Sequence, residues 1–314
     1  MTSEIFCVNI KKTVTGANAA DLHKTTYGYN KLGQLKTETY KEYQGGSYRS
    51  QWDQTFTYDQ AGNRTKKEYR SYYGMGSFYT PYTTNYYYNE ANRLTEYKTN
   101  FMSTTEEYFI CAYDASGNLT KKTDQTSHDY TDYEYDPLNR MTYTSGTRAG
   151  QGGMPYYDVS FTYDEHDRRI QKNYTKDINT PQPQNEITNF LWQGDKVVAE
   201  IMNESDQDYN YKNTECYTWG PTGKLEGVIF NRTKKMKSSS YTQTLQNYSA
   251  FRTTNYKGDV ITTTNTSPSY DTFGKKPNGA AVNNGFGYSS EYHDAETGLQ
   301  YLRARYYDPV CTFA

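Results

Sequence analysis

The chain of 314 residues contains few of the features on which most folds and sites are built. Hydrophobic residues make up 34% of it, and there are only four cysteines and four histidines. The cysteines are isolated, with no C-x-x-C pair, which excludes a disulfide framework and gives no metal-site spacing. The histidines are far apart, and none lies near a cysteine. We therefore predict no metal site and no cofactor.

Long apolar runs and an excess of either charge are also missing. The formal net charge is −2 and the calculated pI is about 6.1, so nothing favours nucleic acid as a partner. No segment approaches the ~20 apolar residues of a membrane span, and the N-terminus shows no signal peptide. Paired lysines, as at 66–67 and 121–122, are best explained as solvated strand ends.

Aromatic residues are abundant instead, with 37 tyrosines and an aromatic content of 17%. A mean hydropathy of −1.05 is typical of disorder, but disordered chains are poor in aromatics. A tyrosine buries a large ring while its hydroxyl stays hydrogen-bonded. We therefore expect a folded chain whose core is built on tyrosine.

A repeated segment organises the sequence. Six stretches align without gaps, and their common tyrosines lie 22 to 30 residues apart: YGYNKLGQLK, FTYDQAGNRT, YYYNEANRLT, CAYDASGNLT, YEYDPLNRMT and FTYDEHDRRI, with Tyr29, Tyr58, Tyr88, Tyr113, Tyr135 and Tyr163 at the third position. An aromatic residue two positions before the tyrosine shares its strand face, and Asp or Asn after it starts a turn. Each repeat is therefore predicted to form one β-hairpin.

The fourth residue after the tyrosine supports the hairpin prediction. It is Gly33, Gly62 or Gly117 in three repeats and Asn92, Asn139 or Asp167 in the others. Gly, Asn and Asp are the residues that tolerate a positive φ, which a type I turn with a G1 bulge requires. A catalytic glycine-rich loop would not accept Asn and Asp there.

These repeats resemble the YD repeats of the Rhs family, which also occur in Tc toxin C components and teneurins. The C-terminal stretch FGYSSEYHDAETGLQYLRARYYDP, residues 286–309, is similar to the signature of the Rhs-associated core. Matching core positions are Gly298, Tyr301, Leu302, Arg303, Arg305, Tyr306, Tyr307, Asp308 and Pro309. The resemblance implies an all-β fold of consecutive long hairpins in a curled or spiralling sheet, forming a partial or single-turn β-shell around a toxic polypeptide.

The resemblance gives the predicted organisation. Residues 1–26 are a lead-in, 27–176 hold the YD hairpins, 187–275 hold further Rhs-type strands, 286–309 are the core signature, and 310–314 are a truncated tail. Two proline-containing loops, 177–186 and 276–285, separate these parts. Within the core, DAETGL is predicted to turn between two aromatic strands, and one helical turn is allowed near 292–297.

We expect a structural, non-enzymatic role: a shell portion of an Rhs-type polymorphic toxin used in competition between bacterial cells, reaching the outside through a larger system. Expected partners are a toxin polypeptide, an upstream shell segment or a second copy. Asp308 is a candidate for one half of a self-cleaving aspartyl pair, or a turn-forming residue before Pro309. With no second aspartate following it, we predict no autocleavage.

Two further interpretations stay open. Arg303 and Arg305 are predicted to alternate on one strand and to bind carboxylates or stack on tyrosines. The tyrosines form structural cross-strand pairs, line an enclosed cargo, or bind sugars. For a cell-surface adhesion or glycan-binding module, Trp52, Trp192 and Trp219 are the candidate sugar-binding residues.

Overall fold

The computed structural model shows the all-β fold that the repeats predict. It describes residues 8–12, 23–44, 47–73, 77–78, 80–149, 155–181, 183–205, 208–238, 240, 242–251, 253–254, 260–261, 270, 272–275, 285–303 and 305–309. The chain divides into two units, residues 1–112 with 122–128, and residues 113–121 with 129–314. The lead-in 1–26 lies mostly outside the described residues, and the tail 310–314 lies wholly outside them.

The first unit consists of antiparallel hairpin strands: β1 (Val8–Lys12), β2 (His23–Tyr29), β3 (Leu35–Gln44), β4 (Ser47–Tyr58), β5 (Arg64–Tyr73), β6 (Ser77–Phe78), β7 (Tyr82–Tyr88), β8 (Leu94–Phe101) and β9 (Thr104–Tyr113). Each long strand pairs with the next along the chain, and β5 pairs with both β6 and β7. Strand β10 (Leu119–Asp124) contains the boundary between the units.

The second unit continues the same pattern: β11 (Tyr130–Tyr135), β12 (Met141–Thr147), β13 (Pro155–Tyr163), β14 (Arg169–Lys176), β15 (Gln184–Gln193), β16 (Lys196–Ser205), β17 (Tyr209–Trp219), β18 (Leu225–Met236) and β19 (Thr242–Phe251). Each strand is antiparallel to its neighbour from β11 to β19. The proline-containing loop before β15 joins two paired strands, so the hairpin sheet runs on through it.

A second, smaller sheet lies at the C-terminal end of this unit. It is formed by β22 (Gly285–Phe286), β23 (Tyr292–Asp294), β24 (Leu299–Tyr301) and β25 (Tyr306–Tyr307). A short pair, β20 (Thr253–Thr254) and β21 (Val260–Ile261), precedes it. We call the β22–β25 sheet the C-terminal sheet. As predicted, DAETGL connects two aromatic strands, β23 and β24, and Gly298 in this turn has a φ of 71°.

The core of the second unit lies between the hairpins and the C-terminal sheet. One cluster joins Tyr292 and Tyr301 to hairpin residues that include Phe190, Tyr217 and Val228. A second cluster joins Leu299 to hairpin residues that include Tyr133, Met141 and Phe161. The C-terminal sheet therefore covers one face of the hairpins, which gives their alternating aromatic residues an apolar partner.

Helical structure is minimal. The predicted helical turn near 292–297 is wrong, because Tyr292–Asp294 form a strand and the residues after it a turn. A 3-10 turn occurs slightly earlier instead, at Tyr288–Ser290. In the described part of the chain, no helix has the length and apolar character needed to span a membrane.

Candidate functional site

Every YD turn is closed by the same set of hydrogen bonds. In the second repeat, the backbone N–H of Asp59 donates to the carbonyl of Asn63 at 2.9 Å, and that of Gly62 donates to the carbonyl of Asp59 at 3.2 Å. The Asp59 carboxylate also accepts the backbone N–H of Asn63 at 2.8 Å. These bonds lower the pKa of the Asp59 carboxyl, with the side chain of Asn63 as the main cause. The motif Asp therefore builds the turn.

The predicted positive φ occurs in all six repeats. It is 77°, 92° and 99° at Gly33, Gly62 and Gly117, and 57°, 62° and 60° at Asn92, Asn139 and Asp167. The pairing register shifts by one residue just before each motif tyrosine for which the register is given, which is the bulge that the turn requires. The hairpin turn was therefore correctly predicted from residue types.

The motif tyrosines connect one hairpin to the preceding one. The hydroxyl of Tyr58 donates to the carbonyl of Leu35 at 2.7 Å, and the hydroxyl of Tyr88 donates to the carbonyl of Arg64 at 2.8 Å. In the second unit, Tyr163 donates to the carbonyl of Met141 at 2.7 Å. In each case the acceptor is the first strand residue after the previous turn. This bond positions each of these three hairpins on the one before it.

Two tryptophans also donate to a backbone carbonyl of the preceding hairpin, and the alignment of the six repeats did not include them. The indole N–H of Trp192 donates to the carbonyl of Arg169 at 2.9 Å, and that of Trp219 donates to the carbonyl of Val197 at 2.7 Å. The surrounding stretches FLWQGDKVV and YTWGPTGKL keep the alternating aromatics and a turn glycine. Gly194 and Gly223 have φ values of 61° and 75°. These stretches are therefore two further hairpins of the same series.

The turns are also bonded to one another. The side-chain amide of Asn63 donates to the side-chain oxygen of Asn92 in the next turn at 2.9 Å. Asn118 and Asn139 form the same bond at 2.9 Å. Later in the series, the guanidinium of Arg140 donates to Asp167 at 2.8 Å. In each pair, the donor directly follows the residue with positive φ in its own turn. The acceptor is the residue with positive φ in the next turn.

A buried ion cluster attaches the C-terminal sheet to the hairpins. Arg169 on β14 donates to Asp294 on β23 at 2.6 Å, and Lys172 reaches Asp294 at 3.4 Å and Glu296 at 2.9 Å. The side chains of Lys172 and Asp294 are 0% exposed and that of Arg169 is 1% exposed. Burial raises the pKa of Asp294, but the two cations outweigh it and hold that pKa below its ordinary value.

Aromatic rings enclose the guanidinium of Arg169. Its centre lies 4.4 Å to 5.2 Å from the ring centroids of four residues: Phe161, Phe190, Tyr292 and Tyr301. The backbone N–H of Arg169 donates to the Tyr301 hydroxyl at 2.9 Å. Two of these rings come from the hairpins and two from the C-terminal sheet. Such a cage stabilises a buried cation without exposing it to water.

A second buried carboxyl lies next to the ion cluster. Glu200 on β16 is 6% exposed. It accepts the hydroxyl of Tyr217 on β17 at 2.7 Å and that of Tyr292 on β23 at 2.9 Å. Burial raises the pKa of the Glu200 carboxyl to about 7, against the lowering effect of the two hydroxyl groups. Glu200 therefore changes its charge near neutral pH.

The core-signature residues lie within and directly after the C-terminal sheet. Tyr301 and Tyr306 contact Arg169 through their hydroxyls, and Tyr307 donates its hydroxyl to the carbonyl of Phe273 at 2.8 Å. Asp308 and Pro309 are buried after β25. Gly298 ends the β23–β24 turn. Three signature tyrosines, Tyr301, Tyr306 and Tyr307, therefore connect the C-terminal strands to their surroundings.

The prediction that Arg303 and Arg305 share a strand is wrong. Arg303 lies between β24 and β25, where the N–H of Leu302 donates to the carbonyl of Arg305 at 2.7 Å. Arg303 has a φ of 65°, which a strand does not allow. Its guanidinium donates to Glu291 at 3.1 Å, in agreement with the predicted carboxylate contact.

The structure brings together carboxylates that were not singled out from the sequence. Asp294 and Glu296 meet at Lys172, and Glu200 and Glu215 share the hydroxyl of Tyr217. The absence of autocleavage at Asp308 stays a prediction. Among the described residues, no group of three or more His, Cys, Asp or Glu side chains could hold a metal ion.

The hairpin series and the sheet packed on it define a β-hairpin repeat protein with a C-terminal core. The family model described as RHS Repeat matches residues 113–151. The chain is 29% identical over 295 residues to the tRNA3(Ser)-specific nuclease WapA of Bacillus spizizenii, covering 90% of this chain and 10% of that protein. It is 28% identical to the tRNA nuclease WapA of Bacillus subtilis over the same shares. The repeats and both matches make the chain similar to Rhs/YD-repeat proteins.

Two solved structures also match this chain. A crystal structure of TcdB2-TccC3-Cdc42 is 14% identical with a TM-score of 0.33, and the match covers 94% of this chain and 20% of that chain. A structure of the Photorhabdus luminescens Tc holotoxin pore is 15% identical with a TM-score of 0.31 and the same coverage. The chain spans 10% of the length of the two curated relatives named above.

Proposed function

We propose that this chain is a structural wall segment of an Rhs-type toxin protein, and that the wall encloses a toxin polypeptide. One observation carries this proposal: the repeated side chains are used to join hairpins. The motif aromatics bond the preceding hairpin, and the turn side chains bond the following one. A repeat whose defining chemistry joins neighbouring units builds an extended surface.

The chain itself is proposed to be no enzyme. Its curated relatives are named as tRNA nucleases, and it matches 10% of the length of the two described above. We assign the nuclease activity of those proteins to the rest of their length. The ionisable groups that the structure collects in the described core are Arg169, Lys172 and Asp294 with their neighbours, and they attach one sheet to another. Such an arrangement supports a structural role.

The proposed partners follow from this role. They are the enclosed toxin polypeptide, a further wall segment, and a second copy of the chain, with no nucleic acid among them. The relatives named above are proteins of Bacillus species, and we propose that the wall acts outside the producing bacterial cell.

The test is protection of a reporter. An unstructured polypeptide containing protease sites is joined to the C-terminus of the whole chain, and its digestion rate is compared with that of the free reporter. We expect the reporter to be digested at least tenfold more slowly when it is joined to the chain than when it is free. Digestion at the free rate would reject the wall proposal. Small-angle X-ray scattering of the same sample, with its mass, should show a hollow particle.

A matched control separates enclosure from simple attachment. Asp294→Ala removes the anion that holds Arg169 and Lys172, so the C-terminal sheet should detach and the reporter should lose its protection. Glu291→Gln changes an ion pair with side chains 22% and 41% exposed and should leave protection unchanged. Equal protection in all three proteins would show that the reporter is shielded by something other than an intact wall.

A glycan-binding surface is the second candidate, and one row of rings favours it. Trp52 lies between Tyr40 and Tyr69, with ring centroids 5.5 Å and 6.2 Å away. Trp192 and Trp219 pack against the C-terminal sheet and bond the backbone, which disfavours them as sugar platforms. Binding to a glycan array that is lost in Trp52→Ala, with the fold intact, would support this candidate over the wall.

Self-processing is the third candidate, and its test is an intact-mass measurement. The wall proposal predicts no spontaneous loss of a C-terminal fragment. Loss of a fragment from the wild-type chain, but not from Asp308→Asn, would establish cleavage that depends on Asp308.

A further inference from the structure

The C-terminal sheet is attached to the hairpins by two buried polar clusters of opposite character. The first contains ions of both signs, Arg169 and Lys172 facing Asp294 and Glu296. The second contains Glu200 and two tyrosine hydroxyls. The first cluster needs its carboxylates ionised. The second places a carboxyl where its hydrogen-bond partners, among the residues that the structure describes, are two neutral hydroxyl groups.

Glu200 is in a position to connect the hairpins to the C-terminal sheet. Its backbone belongs to β16 of the hairpins, whereas Tyr292 belongs to β23 of the C-terminal sheet, 92 residues further along the chain. The second hydroxyl, from Tyr217, comes from the adjacent strand β17. Removing the C-terminal sheet would take away Tyr292 and open Glu200 to water. The charge of Glu200 is therefore coupled to the attachment of that sheet.

The groups around Glu200 favour its neutral form. Glu215 on β17 is a second carboxylate that bonds the same Tyr217 hydroxyl at 2.9 Å. Lys172 on β14 opposes this effect, but it is bonded to Asp294 and Glu296. Phe190, which pairs with Glu200 from β15, is apolar. The ionisable groups that face the site are Lys172 and Arg169 on β14, Glu215 and Tyr217 on β17, and Tyr292, Asp294 and Glu296 in the C-terminal sheet and its turn.

We propose that Glu200 is a pH-sensitive latch: when protonated it holds the C-terminal sheet on the hairpins, and when ionised it weakens that attachment. This goes beyond a wall function, because it would regulate the attachment of one layer whether or not a polypeptide is enclosed. In the described part of the chain no ion pair includes the Glu200 carboxylate, and burying a charge without a direct counter-ion is costly.

The direction of the pH effect follows from linkage. The pKa of Glu200 in the folded chain is raised to about 7 from an ordinary value of 4.5. The contribution of Glu200 to the attachment of the C-terminal sheet is therefore fully present below the ordinary glutamate pKa. It is lost as pH rises toward the pKa of Glu200 in the folded chain, and it changes little at higher pH. Asp294 acts in the opposite direction, because its folded pKa is lowered and its contribution is lost in acid. Attachment should be strongest in mildly acidic solution.

The experiment is hydrogen exchange of the whole chain, followed by mass spectrometry at about pH 5 and about pH 8 and corrected for the intrinsic exchange rate. Peptides that cover β23 and β24 report opening of the C-terminal sheet. In the wild-type chain, we expect their opening constant to be larger at the higher pH by on the order of fiftyfold, since each pKa unit is a factor of ten.

Two variants make the result specific. Glu200→Gln keeps a hydrogen-bonding side chain of similar size that cannot ionise, so most of the pH dependence of the opening constant in this range should disappear. Glu204→Gln changes a carboxylate on the same strand that pairs with Arg232 and is 33% exposed, and it should keep the wild-type dependence. Equal pH dependence in wild type and Glu200→Gln would overturn the proposal.

A direct titration covers the case in which Glu200→Gln does not fold. The wild-type chain is labelled with ¹³C at the glutamate carboxyl carbons, and the carboxyl resonance of Glu200 is followed from pH 3 to pH 9. A midpoint near neutrality supports the latch. A midpoint near the ordinary value for a glutamate would overturn it, irrespective of the behaviour of the variants.

Discussion

Trp192 donates its indole N–H to the backbone carbonyl of Arg169, at 2.9 Å. Tyr163, one hairpin earlier, donates its hydroxyl to the carbonyl of Met141 at 2.7 Å. Arg169 and Met141 occupy the same place in their hairpins, directly after the turn. A tryptophan and a tyrosine therefore serve one purpose in successive repeats, because each presents a large ring with one donor at its far end.

This equivalence predicts the effects of substitutions at Trp192. Trp192→Tyr keeps a donor and should be the mildest change. Trp192→Phe removes the donor and should cost about 1 kcal/mol more in the free energy of unfolding, because the carbonyl of Arg169 loses a partner. Urea denaturation of the three proteins measures this difference. A phenylalanine variant as stable as the tyrosine variant would contradict a role for the hydrogen bond.

The buried ions predict a large loss on breaking their cluster. Asp294→Asn leaves Arg169 and Lys172 buried without their shared carboxylate, and should lower the free energy of unfolding by about 3 to 5 kcal/mol. The matched control is Glu291→Gln, which affects a surface ion pair worth about 0 to 1 kcal/mol. Denaturation at neutral pH compares them. Similar losses in both variants would show that burial does not strengthen the Asp294 cluster.

The same carboxylate predicts acid sensitivity. The pKa of Asp294 is lowered in the folded chain, so its stabilisation is present above the ordinary pKa of about 4 and is lost as pH falls through the folded value. The unfolding midpoint of the wild-type chain should therefore decrease below about pH 4. Asp294→Asn, starting from a lower midpoint, should show a smaller decrease. Parallel acid profiles for the two proteins would assign acid sensitivity to other groups.

The turn geometry predicts which residues Gly33 can be replaced by. A Cβ atom added at Gly33 meets nothing within 4 Å, so the φ of 77° alone decides the outcome. Gly33→Asn should be nearly neutral, since Asn92 and Asn139 occupy the same turn position at positive φ. Gly33→Val should cost about 1 to 2 kcal/mol, because a β-branched residue disfavours that conformation. Thermal unfolding of both variants provides the test.

The bond between neighbouring turns predicts coupling between their residues. A double-mutant cycle with Asn63→Ala and Asn92→Ala should give a coupling free energy of about 0.5 to 1 kcal/mol, because Asn63 is buried and donates to Asn92. Asn30 and Asn92 belong to turns separated by one hairpin, and their substitutions should be additive. If Asn30 and Asn92 were coupled as strongly as Asn63 and Asn92, the hydrogen bond between Asn63 and Asn92 would be excluded as the cause of the coupling.

The hairpins could be predicted because their information is local. Asp59, Gly62 and Tyr58 lie within five consecutive positions, and each residue type limits the backbone directly. The two tryptophan segments were predicted as further Rhs-type strands, but their membership of the repeat series was missed for a related reason. The pattern required tyrosine followed by Asp or Asn, whereas Trp219 is followed by Gly220, and the turn is closed by backbone bonds alone.

The ion cluster could not be predicted, because its partners are far apart in sequence. Arg169 and Asp294 are separated by 125 residues, and a charged residue is normally expected at the surface. One local signal was available. Arg169 occupies the position after the turn where other repeats have Leu35, Leu94 or Met141, all buried. Arg64 holds the same position in the second repeat, is also buried, and lies over the rings of Phe56 and Tyr86. An arginine there therefore indicates a buried partner, either an aromatic ring or a group of opposite charge.

The aromatic bond from each hairpin to the one before it also gives the chain a direction. Tyr58 needs the carbonyl of Leu35, and Tyr88 needs that of Arg64, so each hairpin is completed by a site that its predecessor has already formed. A ribosome delivers these hairpins in that same order. The hairpin sheet can therefore grow during synthesis, one hairpin at a time. Each new hairpin then pairs with an edge strand whose own hairpin is already complete.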